Sequence, residues 1–499
     1  MLSFGYADTE GTLMRVIALS LLLAAVVPVA GALADGVTPT PAVGHPQLVI
    51  HISGSGFAAK EAIDIYFDTT DEVLTVSDNT GAFSSVPLII PVAATPGVHW
   101  VTAIGRKDGT AFQATFNVRT DWSQFRFTAS GKRSNPYENV INAGNAWQLE
   151  SAWTFTTGGA VYSSPVVASG RLYIGSTDHE LYALDPTTGA LLWAAPTGGK
   201  IQCSPAVADG RVYVNSYDGY LYAFNATTGK QLWKSPKLVD ADSSPTVANG
   251  IVYVGGYNVQ GIFAFNAKTG AQVWSQPVDS VVEASPAISQ GVLYVASNKG
   301  TLYSFDAATG TPLWDFPFVN QAIYSSPIVS NGLVYVGSGE DNQLWAFYAQ
   351  SGTSPWRGVT GGTVDATAAA ANGLVYESSY DGKVYAFNPS NGTAAWTFAT
   401  PYIVTTSPAV ANGVVYVGGC TDGICALDAK TGQQVWSTAI NAGMAGSATV
   451  ANGMVYEGDL NGIVHAYALN GGNNAVYQRD RIPPSYASLH PDFRLKPVR

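Results

Sequence analysis

From about residue 160 onward, one short pattern of apolar and polar positions recurs along the chain. Apolar residues alternate with small or polar ones in short runs, the period of a half-buried β-strand, and glycine-bearing turns separate the runs. The unit "SSPVVASGRLYIGSTDHELYALDPTTGALLW" reads as a small-residue strand, a Ser-Gly or Asn-Gly turn and an apolar strand. A second turn, a third strand and a last strand ending in Trp complete it. A proline or its substitute recurs at Pro165, Pro205, Pro245, Pro286, Pro327, Ala368, Pro408 and Ala448, in steps of 40 or 41. A tryptophan recurs at Trp193, Trp233, Trp274, Trp314, Trp356, Trp396 and Trp436. A period near 40 with four strands per unit predicts a β-propeller, here of eight blades over residues 153–478.

The repeat has a physical logic. Small residues open the first strand of each unit, where blades crowd the axis. Asp218-Gly219, Asp381-Gly382, Asp422-Gly423 and Asn461-Gly462 are expected to make two-residue hairpins with positive φ. Ala183, Asp185, Thr188, Gly189 and Trp193 recur as a set, which assigns them to the scaffold, because no catalytic residue is needed in every unit. The indole is expected to stack on a neighbouring blade where Gly bares the peptide plane. Trp153 lies twelve residues before Pro165, the usual spacing, yet no unit precedes it; the last unit has Val476 where its tryptophan belongs. Residues 148–153 are therefore expected to close the ring as the outer strand of the eighth blade, which removes a free sheet edge.

Ahead of the repeats, residues 37–119 alternate in short strands at Gln47–Ser53, Ala62–Phe67, Phe83–Ile90, His99–Gly105 and Phe112–Val118, predicting a small antiparallel β-sandwich. Its stretch "GSGFAAKEAIDIYFD" resembles bacterial immunoglobulin-like surface modules. Residues 120–152 read as an entry segment and 479–499 as a basic, Pro-containing tail. At the N-terminus, Met14-Arg15 followed by apolar Val16 to Val27 and by Ala32-Leu33-Ala34 has the form of a signal peptide over 1–34, with translation starting at Met1 or Met14. Export is expected, to an extracellular, periplasmic or cell-surface location. A membrane association is expected only if that segment stays as an anchor.

Charge narrows the partners. Only 12% of residues are charged and the net charge is −11, which argues against nucleic acid. Three cysteines are too few for a disulfide-dense scaffold or a structural zinc site. The six histidines contain no His-x-x-x-His pair, and no nucleophile elbow or phosphate loop is present.

Units such as "VYVNSYDGYLYAFNATTGKQLW" resemble the tryptophan-docking repeats of the pyrroloquinoline-quinone-type propeller superfamily, over roughly residues 122–478. That superfamily includes quinoprotein alcohol dehydrogenases and the lipoprotein propeller of outer-membrane assembly. The resemblance implies the fold. A quinone enzyme of this kind carries adjacent cysteines over the cofactor and a calcium site of Glu, Asn and Asp. This chain has no adjacent cysteines, no calcium set that can be placed residue by residue and no Cys-x-x-Cys-His motif. No catalytic residue, metal or cofactor is therefore expected, and the leading reading is a monomeric, non-catalytic binding or scaffold protein of the cell envelope. The alternative is an oxidoreductase using the quinone with calcium.

Candidate binding residues come from positions that vary within the repeat. Three residues before each repeat proline or its substitute stand Tyr162, Gln202, Asp242, Glu283, Tyr324, Asp365, Thr405 and Ala445. The residue before each of these is apolar and expected to be buried. The variable ring should sit at the mouth of the central channel, with Asp242, Glu283 and Asp365 converging on one side and their mutual field raising at least one pKa. A cationic small molecule, or a Lys/Arg side chain of an envelope protein or peptide, is the expected ligand, flanked by Tyr162 and Tyr324. Finally, "CTDGIC" predicts a hairpin in which Cys420 and Cys425 face each other across a non-hydrogen-bonded pair, about 4.5 Å apart at Cα, and form a disulfide in an oxidising compartment.

Overall fold

The computed structural model describes residues 35–237, 242–257, 259–318, 322–420, 423–438, 440 and 443–472. The signal segment, Val476 and the basic tail lie outside the described residues, and among those described no helix is long and apolar enough to cross a membrane.

Two sheets form the N-terminal part. Gly36–Thr40, Val49–Ser55 and Phe83–Ile89 make one; Val43–Gly44, Ala111–Val118, Gly97–Gly105, Ala62–Phe67 and Thr70–Val76 make the other. Alternation along each strand turns Ile50, Ile52, Ile63, Ile65, Leu88, Val101 and Phe116 into one shared core. The strand Thr70–Val76 is an addition to the sequence reading. It lies at the edge of its sheet, where Asp71 and Glu72 stand exposed, a charge pattern that blunts an edge and resembles a turn in sequence.

The repeats fold into eight sheets around an axis, seven of them four-stranded and antiparallel and one five-stranded, in which Ser134–Asn135 of the entry segment adds in parallel to Ala409–Ala411. In the first, Val166–Ala168, Arg171–Gly175, Glu180–Leu184 and Leu191–Pro196 run from the axis outward. The first two strands of each blade join through a two-residue turn, such as Asn249-Gly250 (φ 50° and 75°) or Asn412-Gly413 (φ 44° and 77°). Positive φ at both positions is the primed turn that matches strand twist, and Asn-Gly supplies it at least cost. The Asp-Gly turns differ from expectation. Ser216 pairs with Tyr220 and Ser379 with Lys383, so each loop has three residues, with positive φ at the glycine alone. The aspartate serves as a bracket instead: Asp218 Oδ2 accepts from Gly198 N–H (3.0 Å) and from Tyr222 O–H (2.5 Å).

Each repeat tryptophan locks its blade to the next. Trp193 Nε1 donates to Ala226 O at 3.2 Å, Trp274 to Ala307 O at 3.0 Å and Trp396 to Ala429 O at 3.1 Å. The indole lies flat on a glycine; a Cβ on Gly229, Gly310 or Gly432 would come within 2.7, 2.7 and 2.6 Å of it. Only glycine fits there. The ring closes by exchange between distant parts of the chain. Leu149–Thr156 pairs antiparallel with Ile463–Leu469 as the outer strand of blade eight, Trp153 opposite Ala466. Trp153 then packs on Gly189 and donates to Pro186 O of blade one, while Trp436 donates to Leu149 O.

A belt of hydroxyls runs around the axis. The backbone N–H of Ser164 donates to Ser204 Oγ, Ser204 to Ser244, Ser244 to Ser285 and Ser285 to Ser326, all at 2.9–3.0 Å. Thr367 continues to Ser407, Ser407 to Ser447, and Ser447 back to Ser164 at 2.8 Å. Among the described residues the belt is interrupted at one seam, between Ser326 of blade five and Thr367 of blade six.

Candidate binding funnel

One end of the channel is closed by the chain itself. The entry segment read as a linker circles the axis and bonds the same repeat position in every blade. Val167 N–H donates to Trp122 O, Val207 to Ser123 O, Ile288 to Ala129 O, Val329 to Ser130 O, Ala370 to Lys132 O and Val410 to Arg133 O, at 2.7–2.9 Å. Val247 N–H donates to Gln124 Oε1 (2.9 Å), and Asn135 Nδ2 donates to Val450 O (2.9 Å), which completes the eight.

Two arginines fill the space inside this collar. Arg133 is fully buried; its Nε donates to Pro408 O (2.7 Å), Nη1 to Phe125 O (2.9 Å) and Nη2 to Ser407 O and Ala448 O (3.3 Å each). Arg126, also buried, donates to the carbonyls of Pro286 and Pro327 and to Thr246 Oγ1. The innermost strands end with carbonyls aimed at the axis, and two planar five-donor groups satisfy several at once. Burial pulls both guanidiniums below their ordinary range, and Glu457 counteracts this at Arg133.

The open end carries the variable ring. Val161, Ile201, Val282, Ile323 and Val364 are fully buried beneath it, as expected; Met444 is half-exposed instead, on the wall of a cleft of about 230 Å³ with Tyr402, Ile403 and Thr405. Ala241 lies outside the described residues. Tyr162 and Tyr324 stand exposed at the rim, Gln202 is half-buried, and Asp242 is exposed.

The three acids do not converge as one group. Asp242 accepts a hydrogen bond from the Tyr217 hydroxyl, and its charge adds to the burial that raises the pKa of Glu283. Asp365 stands apart, with Glu377 beside it and the Tyr380 hydroxyl opposing the rise in its pKa. Burial, ahead of mutual repulsion, raises the pKa of Glu283 and of Asp365. Three acids on blades three, four and six span too much of the ring to share one field.

The sequence reading passed over Glu377 and Glu457. Both occupy a second-strand position that is Ile174, Val214, Val254, Val295, Val336 and Val417 elsewhere. Both are buried, and burial raises both far above the ordinary carboxyl range. The signal was present as "VYE" twice where the repeat has an aliphatic residue.

Cys420 and Cys425 are paired as a disulfide, Cα atoms 5.6 Å apart. Their register departs from expectation: Cys425 lies opposite Val417 and Cys420 opposite Gly423, with a bulge between Gly418 and Cys420. Gly419, at φ 96°, supplies the backbone turn of the bulge. Asp422 lies outside the described residues. The pair is buried in the core between blades six and seven, away from the axis.

These residues do not fit a quinone with calcium. Among the described residues no three His, Cys, Asp or Glu side chains converge to hold a metal ion. The disulfide joins residues five apart inside a blade core, and the channel arginines already donate to main-chain carbonyls and one threonine.

The fold has many relatives. A europium-containing methanol dehydrogenase superposes with a TM-score of 0.62 at 15% identity, over 70% of this chain and 98% of that one. A quinohemoprotein alcohol dehydrogenase from Comamonas testosteroni gives 0.62 at 16% identity, over 73% of this chain and 82% of the other. BamB from Moraxella catarrhalis gives 0.56 at 20%, over 64% and 97%. Such identities show a shared propeller fold. No curated protein matches the sequence. The sequence does match a family of PQQ-type repeats, described as outer membrane protein assembly factor BamB, over residues 138–263, 258–397 and 380–489. Those segments cover most of the chain, and the protein belongs to that family.

Proposed function

We propose that the protein is an exported, non-catalytic binding or scaffold protein of the cell envelope, which docks a cationic side chain of a protein or peptide at the open mouth of its propeller. One observation carries this reading. The chain's own entry segment seals one end of the channel with a bond to every blade, while the other end presents Asp242, Glu283 and Asp365 between exposed Tyr162 and Tyr324. Membership of the assembly-factor family supports an envelope setting. The mouth supplies anionic oxygens and ring faces, which together attract an ammonium or guanidinium group.

The test is calorimetric titration with trilysine and with argininamide. Wild-type protein should bind one of them, weakening as salt rises. The triple variant Asp242→Asn, Glu283→Gln, Asp365→Asn should lose at least tenfold in affinity with its melting temperature preserved. Unchanged affinity in the triple variant would remove the mouth as the site. Stoichiometric binding of pyrroloquinoline quinone with calcium would favour the oxidoreductase reading instead.

A further inference from the structure

Two buried glutamates share one repeat position but not one environment. The charge of the buried Arg133 opposes the rise in the Glu457 pKa in blade eight, although Glu457 Oε1 has no hydrogen-bond partner. Glu377 of blade six has no such counter-charge: the charged group beside it is Asp365, which opposes its ionisation. A buried carboxylate without a cation is costly. The chain provides the counter-charge in one case and omits it in the other.

The register places Glu377 in a seam between blades. Side chains alternate along a strand, and Asn215, the counterpart of Ser378, reaches forward to Ser243 O of the next blade at 2.7 Å. Glu377, one residue earlier, therefore faces back toward blade five. Ser325 of blade five is the counterpart of Ser243, whose hydroxyl bonds Ala284 O of the following blade at 3.1 Å. Ser325 thus faces blade six. Glu377 Oε2, Asp365 Oδ1 and Ser325 Oγ are all buried atoms with no hydrogen-bond partner. The hydroxyl belt breaks at this same seam, between Ser326 and Thr367. Above it stand the half-exposed rings of Tyr324 and Tyr380.

We propose that this seam is the anchoring subsite of the mouth: a primary ammonium or guanidinium group enters between Tyr324 and Tyr380 and is held by Asp365, Glu377 and Ser325. The inference rests on the binding role of the mouth argued above and names where in the mouth the charge is seated. Three unpaired oxygens match the donors of one ammonium group in number. The two ring faces add cation–π attraction at the rim.

Calorimetry with trilysine and argininamide tests the subsite. Glu377→Gln should weaken whichever probe binds by at least tenfold, and Ser325→Ala by a few-fold, while Asp315→Asn on an exposed outer strand changes nothing. Melting curves and near-ultraviolet circular dichroism establish that each variant is folded; if Glu377→Gln is not, Ser325→Ala and Asp365→Asn carry the test. Wild-type affinity in Glu377→Gln together with loss in the triple mouth variant would overturn the subsite and keep the mouth. Wild-type affinity in both variants, or no binding of either probe to the wild type, would overturn both. Displacement of the probe by calcium ions in a one-to-one ratio would make the seam a metal site and overturn the ammonium assignment.

Discussion

The two ends of the channel are built from the same eight strands and handled in opposite ways. At the sealed end the bonded positions are nearly uniform: Val167, Val207, Val247, Ile288, Val329, Ala370, Val410 and Val450 each bond the entry segment. At the open end the equivalent ring holds tyrosines, acids, an amide, Thr405 and Ala445, and three polar atoms in one seam have no partner. A uniform edge can be satisfied once, by one segment of chain that visits every blade. A varied edge cannot, and its unpaired groups are what an external ligand would satisfy. The entry segment bonds every blade at one end, and the proposed binding role would use the unmet hydrogen-bonding capacity at the other.

The largest effect should come from removing the seal. A chain beginning at Ala160 lacks both the collar and the closing strand Leu149–Thr156, so blade eight keeps three strands and Trp436 loses its acceptor at Leu149. Thermal unfolding followed by circular dichroism should lose its single cooperative transition; melting like that of the full chain would refute closure. Arg133→Ala separates the collar from the strand. It leaves the carbonyls of Pro408, Ser407 and Ala448 without their donor and removes the charge that opposes the rise in the Glu457 pKa, and should cost about 3–5 kcal/mol in denaturant unfolding.

The next effect has the opposite sign. Glu377→Val restores the residue the repeat prefers and should stabilise the protein while abolishing binding at the seam. In the folded chain the Glu377 pKa is raised by burial and by Asp365, while the unfolded value stays near the ordinary 4.5. Below that value both states are protonated and wild-type stability is highest. As pH rises, the unfolded chain ionises first, so the wild type loses stability until the folded pKa is passed. Glu377→Val has no such loss. Its advantage should grow from about pH 4.5 upward and reach about 1–4 kcal/mol near neutrality. Chemical denaturation at pH 4 and pH 7.5 measures it, and an equal difference at both would show that Glu377 is not a buried titrating group.

Legibility follows the same division. The period near 40, the Asn-Gly turns and the tryptophans made the blades readable because every copy reinforces the others. The missing tryptophan of the last unit, with a spare one at Trp153, even made the closing strand readable. The collar was opaque: "WSQFRFTASGKRSN" bonds largely through its backbone, and its two arginines act on carbonyls, which leave no trace in side-chain pattern. Sequence gives the blade of Asp242, Glu283 and Asp365 but not the distances between their carboxyls. Glu377 lies outside the variable ring, one of two breaks in an otherwise apolar column that side-chain variation at the mouth does not point to.

The smallest effect concerns the cysteines, a case where the hairpin's local geometry matters more than either end of the channel. Cys420 and Cys425 have Cα atoms 5.6 Å apart, inside the usual disulfide range of about 4.4–6.8 Å. The bulge at Gly419 places them diagonally, not directly opposite. The bond closes a loop of very few residues, so it removes little entropy from the unfolded chain and should contribute at or below the low end of about 2–4 kcal/mol. The double variant Cys420→Ala, Cys425→Ala should therefore melt only slightly earlier than the wild type and bind trilysine equally well, since the pair lies in a blade core. Thiol titration of unreduced protein in denaturant gives the direct count. One reactive thiol, that of the buried Cys203, is expected; three would show that the pair is reduced and that its side chains simply pack as small apolar groups between blades six and seven.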